Sequence, residues 1–343
     1  MALDPSSTID ISRAFGPMNT NGHDQQLSNS QLLFHTHYMR MRSLANNTAH
    51  GQYIQSRISR DSLTDLLSRF QSETRNHLTA TLVHDIPSAD DTREAAVQSL
   101  LIFILRTWWM CRIGNFPGEL GHGQTCVPWL GDSSFLDAVS EFFHKQAINK
   151  PNKTLELGKS FKACNLERFG QIRIMWTSNL PDHLRLYDPS DDNEPYLLLV
   201  FHQVWFLERQ RDLGLFPAGL VEETLLTLAL LLPKYDLATT KWFRMQIKSM
   251  DYCLDSRAAE LDPLEPSQRS TAGFHYWESR LVVLKNVYDA SEPMTITHWW
   301  RDRRRRVQWA TFWIAALVLM LTIFFGIVQS IEGALQVYKA YHP

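Results

Sequence analysis

The spacing of hydrophobic and polar residues predicts a mainly helical chain. Apolar residues recur at helical intervals between about residues 27 and 83, with polar interruptions such as NNTAHGQ. A longer core helix is predicted for EAAVQSLLIFILRTWWMCR at 94–112, and another for LVEETLLTLALLL at 220–232, where Pro233 ends the pattern. Ser134 and Asp137 stand three residues apart at the start of SSFLDAVSEFFHKQ, as in a helix-capping pair.

One further helix has the clearest apolar stripe. Its apolar residues are separated by alternating steps of three and four: Phe274, Trp277, Leu281, Leu284 and Tyr288. A coiled-coil seam for a partner would need more heptads than this pattern supplies. We therefore expect the stripe to pack against its own domain.

The middle of the chain changes to the period of a β-strand. QIRIMWT at 171–177 and HLRLY at 183–187 alternate apolar and polar residues, and YLLLVF at 196–201 is a short apolar run. The intervening DPSDDNEP has the composition of a turn. The predicted fold is mainly α, with a small antiparallel β-sheet of about three strands within residues 170–202.

A long apolar run near the end of the chain predicts a transmembrane helix. WATFWIAALVLMLTIFFGIV at 309–328 contains no charged residue, and twenty helical residues rise about 30 Å, the thickness of a bilayer core. The runs LLIFIL at 100–105 and LLTLALLL at 225–232 are too short to span a bilayer and are expected in the core. We predict one C-terminal transmembrane helix, at 307–328.

The charges beside this run predict its orientation. Five arginines precede it: Arg301, Arg303, Arg304, Arg305 and Arg306. Since positive flanks stay in the cytosol, the large N-terminal part is expected there, as in a tail-anchored protein. The cluster could also bind anionic headgroups, at about 1 kcal/mol per arginine.

A tail whose only lysine is Lys339 favours the endoplasmic reticulum or plasma membrane over the mitochondrial outer membrane.

These patterns divide the chain into five predicted parts. They are a flexible arm at 1–26, a cytosolic helical domain at 27–290, a basic juxtamembrane segment at 291–306, the transmembrane helix and a non-cytosolic tail at 329–343.

Within and after the transmembrane helix, Gly326, Ser330 and Ala334 recur every four residues and would share one face. Such a face allows close helix packing, with a second copy of the chain or another membrane protein.

Composition narrows the classes of function. Hydrophobic residues make up 44% and charged residues 20% of the chain, which is typical of a folded protein. The net charge of −2 gives no electrostatic basis for binding nucleic acid. Four scattered cysteines are too few for a disulfide framework, so reduced thiols are expected.

Motifs for metal or phosphate chemistry are weak. GHGQT at 121–125 lacks the lysine and the spacing of a phosphate-binding loop. Cys111, His122 and Cys126 could supply three zinc ligands, but the paired C-x-x-C spacing of structural zinc sites is missing. The sequence therefore predicts neither a metal site nor a cofactor.

Catalytic candidates are confined to the predicted sheet. His183 follows Asp182 in DHLRL, and His202 stands in FHQ. A histidine beside a carboxylate can act as a general base, because its pKa lies near physiological pH. No nucleophile motif accompanies these three residues, and a histidine that closes a turn or caps a strand is the simpler explanation.

Several blocks resemble a group of filamentous-fungal proteins. The blocks are IRIMWTSNLPDHLRLYD, YLLLVFHQVWFLE, FHYWESRLVVLKNVYDASEP and the closing HWWRDRRRRVQWATFWIAALVLMLTIFFGIVQSIEGALQVYKAYHP. The resemblance is strongest from about residue 170 onward. It implies a helical cytosolic region with a single C-terminal span and a fungal source, and it assigns no residue a catalytic role.

Two functional hypotheses follow. The first is a non-enzymatic interaction or scaffold module on the cytosolic face of a membrane, whose partners are the bilayer and a cytosolic protein. It predicts a binding groove without paired titratable residues. The alternative is a membrane-tethered enzyme for a lipid or phosphate substrate, with Asp182, His183 and His202 converging in one pocket and having shifted pKa values.

Overall fold

The structure is a computed structural model, which describes residues 29–57, 60–84, 92–113, 125–148, 153–188, 191, 194–213, 215–250, 254–291 and 306–341. The predicted arm at 1–26 and the arginines at 301–305 lie outside these ranges. Helices predominate, and the mainly helical prediction is confirmed.

The first half of the chain consists of helices. The broken pattern of residues 27–83 becomes four helices, and a fifth follows: α1 Asn29–Asn46, α2 Gly51–Arg57, α3 Arg60–Ser72, α4 Arg75–His84 and α5 Thr92–Ile104. Helices α2 and α4 pack on α5. The prediction of helix through residue 112 is too long, because a five-residue π turn follows α5 at Leu105–Trp109.

Long-range hydrogen bonds explain why the helix ends there. Met110 takes a left-handed conformation with φ 49°, which a non-glycine residue rarely adopts. The Leu180 N–H donates to the Met110 carbonyl at 2.8 Å, and the Arg112 N–H donates to Asn179 Oδ1 at 2.8 Å. The chain after the π turn therefore bonds to the segment that follows the first strand, where a continued helix would have bonded to itself.

The second half contains seven further helices in the described ranges: α6 Phe135–Ile148, α7 Ala163–Gly170, α8 Val204–Leu213, α9 Leu220–Leu231, α10 Leu237–Ser249, α11 Glu278–Ala290 and α12 Arg306–Tyr341. The predicted capping pair is confirmed, since the Ser134 hydroxyl donates to Asp137 Oδ2 at 2.7 Å and accepts from the Asp137 N–H at 3.2 Å. Helix α9 ends at Leu231, two residues before Pro233, as predicted.

Three strands form a mixed sheet. They are β1 Ile172–Thr177, β2 Arg185–Tyr187 and β3 Tyr196–Phe201, in the order β1-β3-β2. The predicted number of strands is confirmed, but the pairing is not antiparallel throughout. β2 and β3 pair antiparallel, whereas β1 and β3 run parallel, with Ile174 opposite Leu198. Alternation in a sequence assigns side chains to the two faces of a strand, but it sets neither the order nor the direction of the strands.

The apolar stripe of residues 274–288 packs inside its own domain. All five of its side chains are buried, although α11 begins only at Glu278, so Phe274 and Trp277 precede the helix. Gly170 at the end of α7 permits this packing: a Cβ there would lie 2.8 Å from Cδ2 of Tyr288. The prediction of intramolecular packing is confirmed.

Candidate functional site

The three catalytic candidates lie in the buried interior. Asp182 has no exposed surface. One carboxylate oxygen accepts from the Thr125 backbone N–H at 2.7 Å, and the other accepts from the Asn179 side-chain amide at 2.7 Å. Arg185 lies 3.9 Å from the first oxygen. The Asp182 side chain therefore joins two loops to the start of β2.

His183 is held by hydrogen bonds at both ring nitrogens. The Phe201 backbone N–H donates to Nδ1 at 3.1 Å, and Nε2 lies 2.7 Å from the Thr227 hydroxyl, which itself donates to the Thr224 carbonyl. These bonds assign the ring proton to Nε2. Burial, and to a lesser degree the charge of Arg280, lowers the pKa of His183 to about 3. The ring is therefore neutral at physiological pH.

His202 has a separate environment. Its Nδ1 lies 3.4 Å from the Asp255 backbone nitrogen, its Nε2 lies 3.3 Å from the Gln203 amide nitrogen, and its ring is nearly perpendicular to that of Trp176. Burial lowers the pKa of His202 to about 3, and the nearby cation-forming groups His37 and Arg40 lower it further. The pKa of buried His37 falls to about 4, for the same principal reason.

These contacts place the candidates in structural roles. His183 bonds to β3 and α9, His202 bonds to the segment after α10, and Asp182 bonds to neither histidine. The lowered pKa values of the two histidines come chiefly from burial, which keeps both rings neutral at physiological pH. None of the three lines either of the cavities described below.

Among the described residues, no three histidine, cysteine, aspartate or glutamate side chains are grouped as metal ligands would be. Cys111 is buried, and this burial raises the pKa of its thiol. His122, the middle member of the Cys111, His122 and Cys126 set, lies outside the described ranges.

One candidate ligand site is an aromatic cavity of about 280 Å³ beside the π turn. Its buried floor consists of Phe34 from α1, two tryptophans of the π turn and three residues of α8: Trp108, Trp109, Trp205, Phe206 and Gln210. Its mouth is formed by α3 and the end of α8, where Ser68, Gln71 and Leu213 are exposed. We call this site the aromatic cavity.

Ring packing fixes the floor of the aromatic cavity. The ring centroid of Phe34 lies 5.5 Å from Trp205 and 6.1 Å from Trp108, while Trp109 meets Phe135 edge-on at 5.1 Å. The contacts of Phe34 with Trp205 and of Trp109 with Phe135 are edge-to-face, which is favourable because the positive ring edge meets the negative ring face. The π turn brings the two consecutive tryptophans to this floor, and π turns are frequent at functional sites.

Two polar atoms of the aromatic cavity residues have no hydrogen-bond partner within the part of the chain that the structure describes. They are Nε1 of Trp109, a donor, and Oε1 of Gln210, an acceptor. The two side chains are 2% and 4% exposed. An unpaired polar group shielded from water costs about 1–3 kcal/mol, so the burial of each of these two atoms is unfavourable by about this amount.

The sequence did not predict the aromatic cavity. WW at 108–109 falls within the core helix predicted for residues 94–112, and Gln210 lies in a segment of ordinary composition. The available signal was the clustering of three tryptophans and one phenylalanine in WW and VWF. Nothing in the sequence, however, places α8 against the π turn.

A second cavity, of about 630 Å³, lies between α4, α5 and residues 126–130.

The membrane prediction rests on helix α12. Residues Ala310–Tyr338 are long and apolar enough to cross a membrane, with a mean hydropathy of 2.5, and none of the most apolar window is buried. The helix continues beyond the predicted end at 328 to Tyr341. Gly326, Ser330 and Ala334 do lie at helical spacing, and the Ser330 hydroxyl donates to the Gly326 carbonyl at 2.8 Å within the same helix. Arg306 is the first residue of α12.

Comparison with known proteins adds no further constraint. No protein-family model, no curated protein and no solved structure matches the chain. The features of the chain that bear on its function are one apolar helix that fits a membrane anchor and a helical domain with an aromatic cavity.

Proposed function

We propose that the chain is a single-span, tail-anchored membrane protein that displays its helical domain on the cytosolic face as a non-enzymatic binding module. One observation carries this proposal: Ala310–Tyr338 forms an apolar helix with no buried residue in its most apolar window. Exposing this much apolar surface to water is unfavourable, and a bilayer removes it from water.

The cytosolic orientation is supported by the charge asymmetry around α12. Five arginines between residues 301 and 306 precede the apolar span, whereas the segment after 328 carries only Glu332 and Lys339. Positive residues remain on the cytosolic side during insertion. The membrane is proposed to be the endoplasmic reticulum or the plasma membrane, because the segment after the span is weakly basic.

The binding role is supported by the aromatic cavity. Its lining is mostly apolar and includes one charged side chain, Arg209, with no second titratable group among the described lining residues. This is the property that the interaction hypothesis requires. The enzyme hypothesis is not favoured, since Asp182, His183 and His202 are each committed to structural hydrogen bonds.

The experiment that tests this proposal is a topology measurement. A glycosylation acceptor is appended after Pro343, and the full chain is expressed and tested for glycan addition and for resistance to alkaline extraction. Asn46 and Asn152 begin N-x-T triplets in the helical domain. We expect glycan on the appended site only and retention in the membrane pellet.

Two outcomes would contradict the proposal. Glycan on Asn46 or Asn152 would place the helical domain on the non-cytosolic side; the variants Asn46→Gln and Asn152→Gln identify which acceptor is used. Release by alkali would mean that α12 does not span a bilayer. The small-residue face of Gly326, Ser330 and Ala334 stays a prediction of self-association or of a membrane partner.

A further inference from the structure

We infer that the exposed face of helix α10, Leu237–Ser249, lies on the surface of an anionic bilayer. This inference rests on the proposed membrane anchoring and adds a second contact with the bilayer, made by the helical domain itself. It is carried by three cations and two exposed apolar side chains that share one face of α10.

Packing against the rest of the domain decides which face of α10 is exposed. Thr239 and Phe243 are buried, and the half-buried Trp242 donates its indole N–H to Glu167 Oε2 at 2.6 Å. Asp236 caps the start of the helix by accepting from the Thr239 backbone N–H at 2.8 Å. These contacts hold the helix in one rotation and turn the opposite side to solvent.

The exposed face is basic. Lys241, Arg244 and Lys248 are exposed, and α10 contains no acidic residue. At about 100° per residue the three side chains lie within about 60° of one another around the helix axis. The chain as a whole has a net charge of −2, so the positive charge is a local property of this surface. Cations grouped in this way attract anionic lipid headgroups, each one strengthening binding about five-fold.

Carboxylates that contact the helix do not cancel this charge, because they have other partners. Asp236 Oδ1 accepts from Lys162 Nζ at 2.6 Å, while its other oxygen caps the helix. The two oxygens of Glu167 accept from the Trp242 indole and from the Ile174 backbone N–H.

Exposed apolar side chains lie among the cations. Leu237 is 87% and Met245 is 54% exposed, and their spacing of four residues from Lys241 places them on either side of it along one face. A bilayer interface accepts both kinds of side chain, since apolar groups enter the acyl region while basic groups meet the headgroups. A nucleic acid would neutralise the cations and leave the apolar side chains in water.

The membrane anchor keeps this face close to a bilayer. Residues 291–305, between α11 and α12, span at most about 50 Å when fully extended. A surface tethered within such a distance meets the bilayer at a high effective concentration. The cytosolic leaflet carries the anionic lipids, so the proposed orientation supplies the charge that α10 complements. These points favour lipid over an acidic protein as the occupant.

The test measures amide hydrogen exchange in the full chain, reconstituted into nanodiscs of phosphatidylcholine alone or of phosphatidylcholine mixed with phosphatidylserine. We expect exchange within residues 237–249 to be slower in the anionic discs by about five-fold or more. High salt should remove the difference, because exposed charges are screened. Exchange in the core helix α9 is the internal reference and should be the same in both discs.

Charge variants test the role of the cations. Replacing all three cations of the face by glutamine should abolish the slower exchange in anionic discs: Lys241→Gln, Arg244→Gln and Lys248→Gln. The matched control removes the same charge from exposed positions elsewhere and should retain the slower exchange: Lys145→Gln, Lys153→Gln and Arg211→Gln. Tryptophan fluorescence in neutral discs checks that both variants are folded.

An apolar variant tests for lipid as opposed to another polyanion. Leu237→Ser with Met245→Ser keeps every cation, so it should weaken the slowing by anionic discs only if these side chains enter the bilayer. An RNA oligonucleotide added to wild type in neutral discs should not reproduce the slowing.

The contrary outcomes overturn the inference. Equal exchange of α10 in the two discs, slowing that survives the three glutamine substitutions, or equal loss of slowing in the matched control would show that this face does not bind the bilayer. Slowing reproduced by the oligonucleotide and unaffected by the serine substitutions would assign the face to nucleic acid. A chain that fails to enter either disc counts against α12 as an anchor, so the two failures are distinguishable.

Discussion

At the scale of single residues, the buried histidines act as neutral hydrogen-bonding groups. His183 accepts a backbone N–H at one nitrogen and donates to a hydroxyl at the other, which a charged imidazole could not do. The pKa is lowered to about 3 for His183 and His202 and to about 4 for His37. Each ring therefore resists protonation at a pH where the unfolded chain accepts protons readily.

This difference predicts that acid destabilises the domain. Below pH 6.5 the unfolded chain binds a proton at each of these three histidines, whereas the folded chain does not. The free energy of unfolding therefore falls as the pH drops from 6.5 towards the lowered pKa values of the folded chain. For His183 the loss between pH 7 and pH 5 is about 2 kcal/mol. His183→Gln, which retains an acceptor and a donor, should remove this part of the pH dependence in denaturant unfolding followed by tryptophan fluorescence.

The comparison between wild type and variant isolates His183 from other groups. Burial raises the pKa of Glu223 to about 7, although hydrogen bonds from the Tyr276 and Trp277 backbone oppose the shift. Glu223 therefore contributes a slope of opposite sign, with stability falling as pH rises from 4.5 through 7. His275→Gln changes an exposed histidine and serves as the control. An unchanged pH dependence in His183→Gln would contradict the prediction.

At the scale of elements, Glu223 joins two helices. Its carboxylate, on α9, accepts from the backbone N–H of Tyr276 at 2.8 Å and of Trp277 at 3.2 Å, just before α11 begins. Helix N-termini leave such donors without intrahelical partners. A carboxylate from a neighbouring helix supplies the missing acceptor and fixes where α11 starts against α9.

Removing this carboxylate should destabilise the packing of α11. Glu223→Ala leaves two buried donors without an acceptor, so we expect the free energy of unfolding to fall by about 2–4 kcal/mol. Glu222→Ala, an exposed neighbour on the same helix, should change it by less than about 0.5 kcal/mol. Denaturant unfolding at pH 7 measures both. Equal effects of the two substitutions would show that the contact does not stabilise the helix pair.

At the scale of the whole molecule, α12 stands apart from the buried core. Its apolar side chains are exposed, including Leu319 at 62% and Ile323 at 55%, whereas core helices such as α9 bury most of theirs. A helix with apolar residues on every side is suited to lipid rather than to the surface of a soluble domain.

Charges in the middle of α12 should therefore prevent membrane retention without unfolding the domain. The double variant Leu319→Arg, Ile323→Arg costs about 2.5–3.5 kcal/mol per arginine at the centre of a span. We expect it in the soluble fraction after alkaline extraction, with wild-type tryptophan fluorescence. Leu237→Arg, at an apolar position that is 87% exposed in the helical domain, is the control and should remain in the pellet. Retention of the double variant would contradict a spanning role for α12.

The sequence by itself determined the features that depend on neighbouring residues. The apolar run of α12, the stripe of α11, the Ser134 and Asp137 cap and the end of α9 before Pro233 all follow from periodicity or local chemistry. These features need no knowledge of distant parts of the chain, because a helix forms its hydrogen bonds within a few residues.

Only the tertiary structure decided the strand order, the π turn, the partners of the histidines and the aromatic cavity. The parallel pairing of β1 with β3 and the bond from Leu180 to Met110 join residues far apart in sequence. Trp109 and Gln210 are about a hundred positions apart, and they line one cavity only because packing brings α8 to the π turn. Burial and hydrogen-bond partners are properties of the packed chain, so residue type alone could not separate structural histidines from catalytic ones.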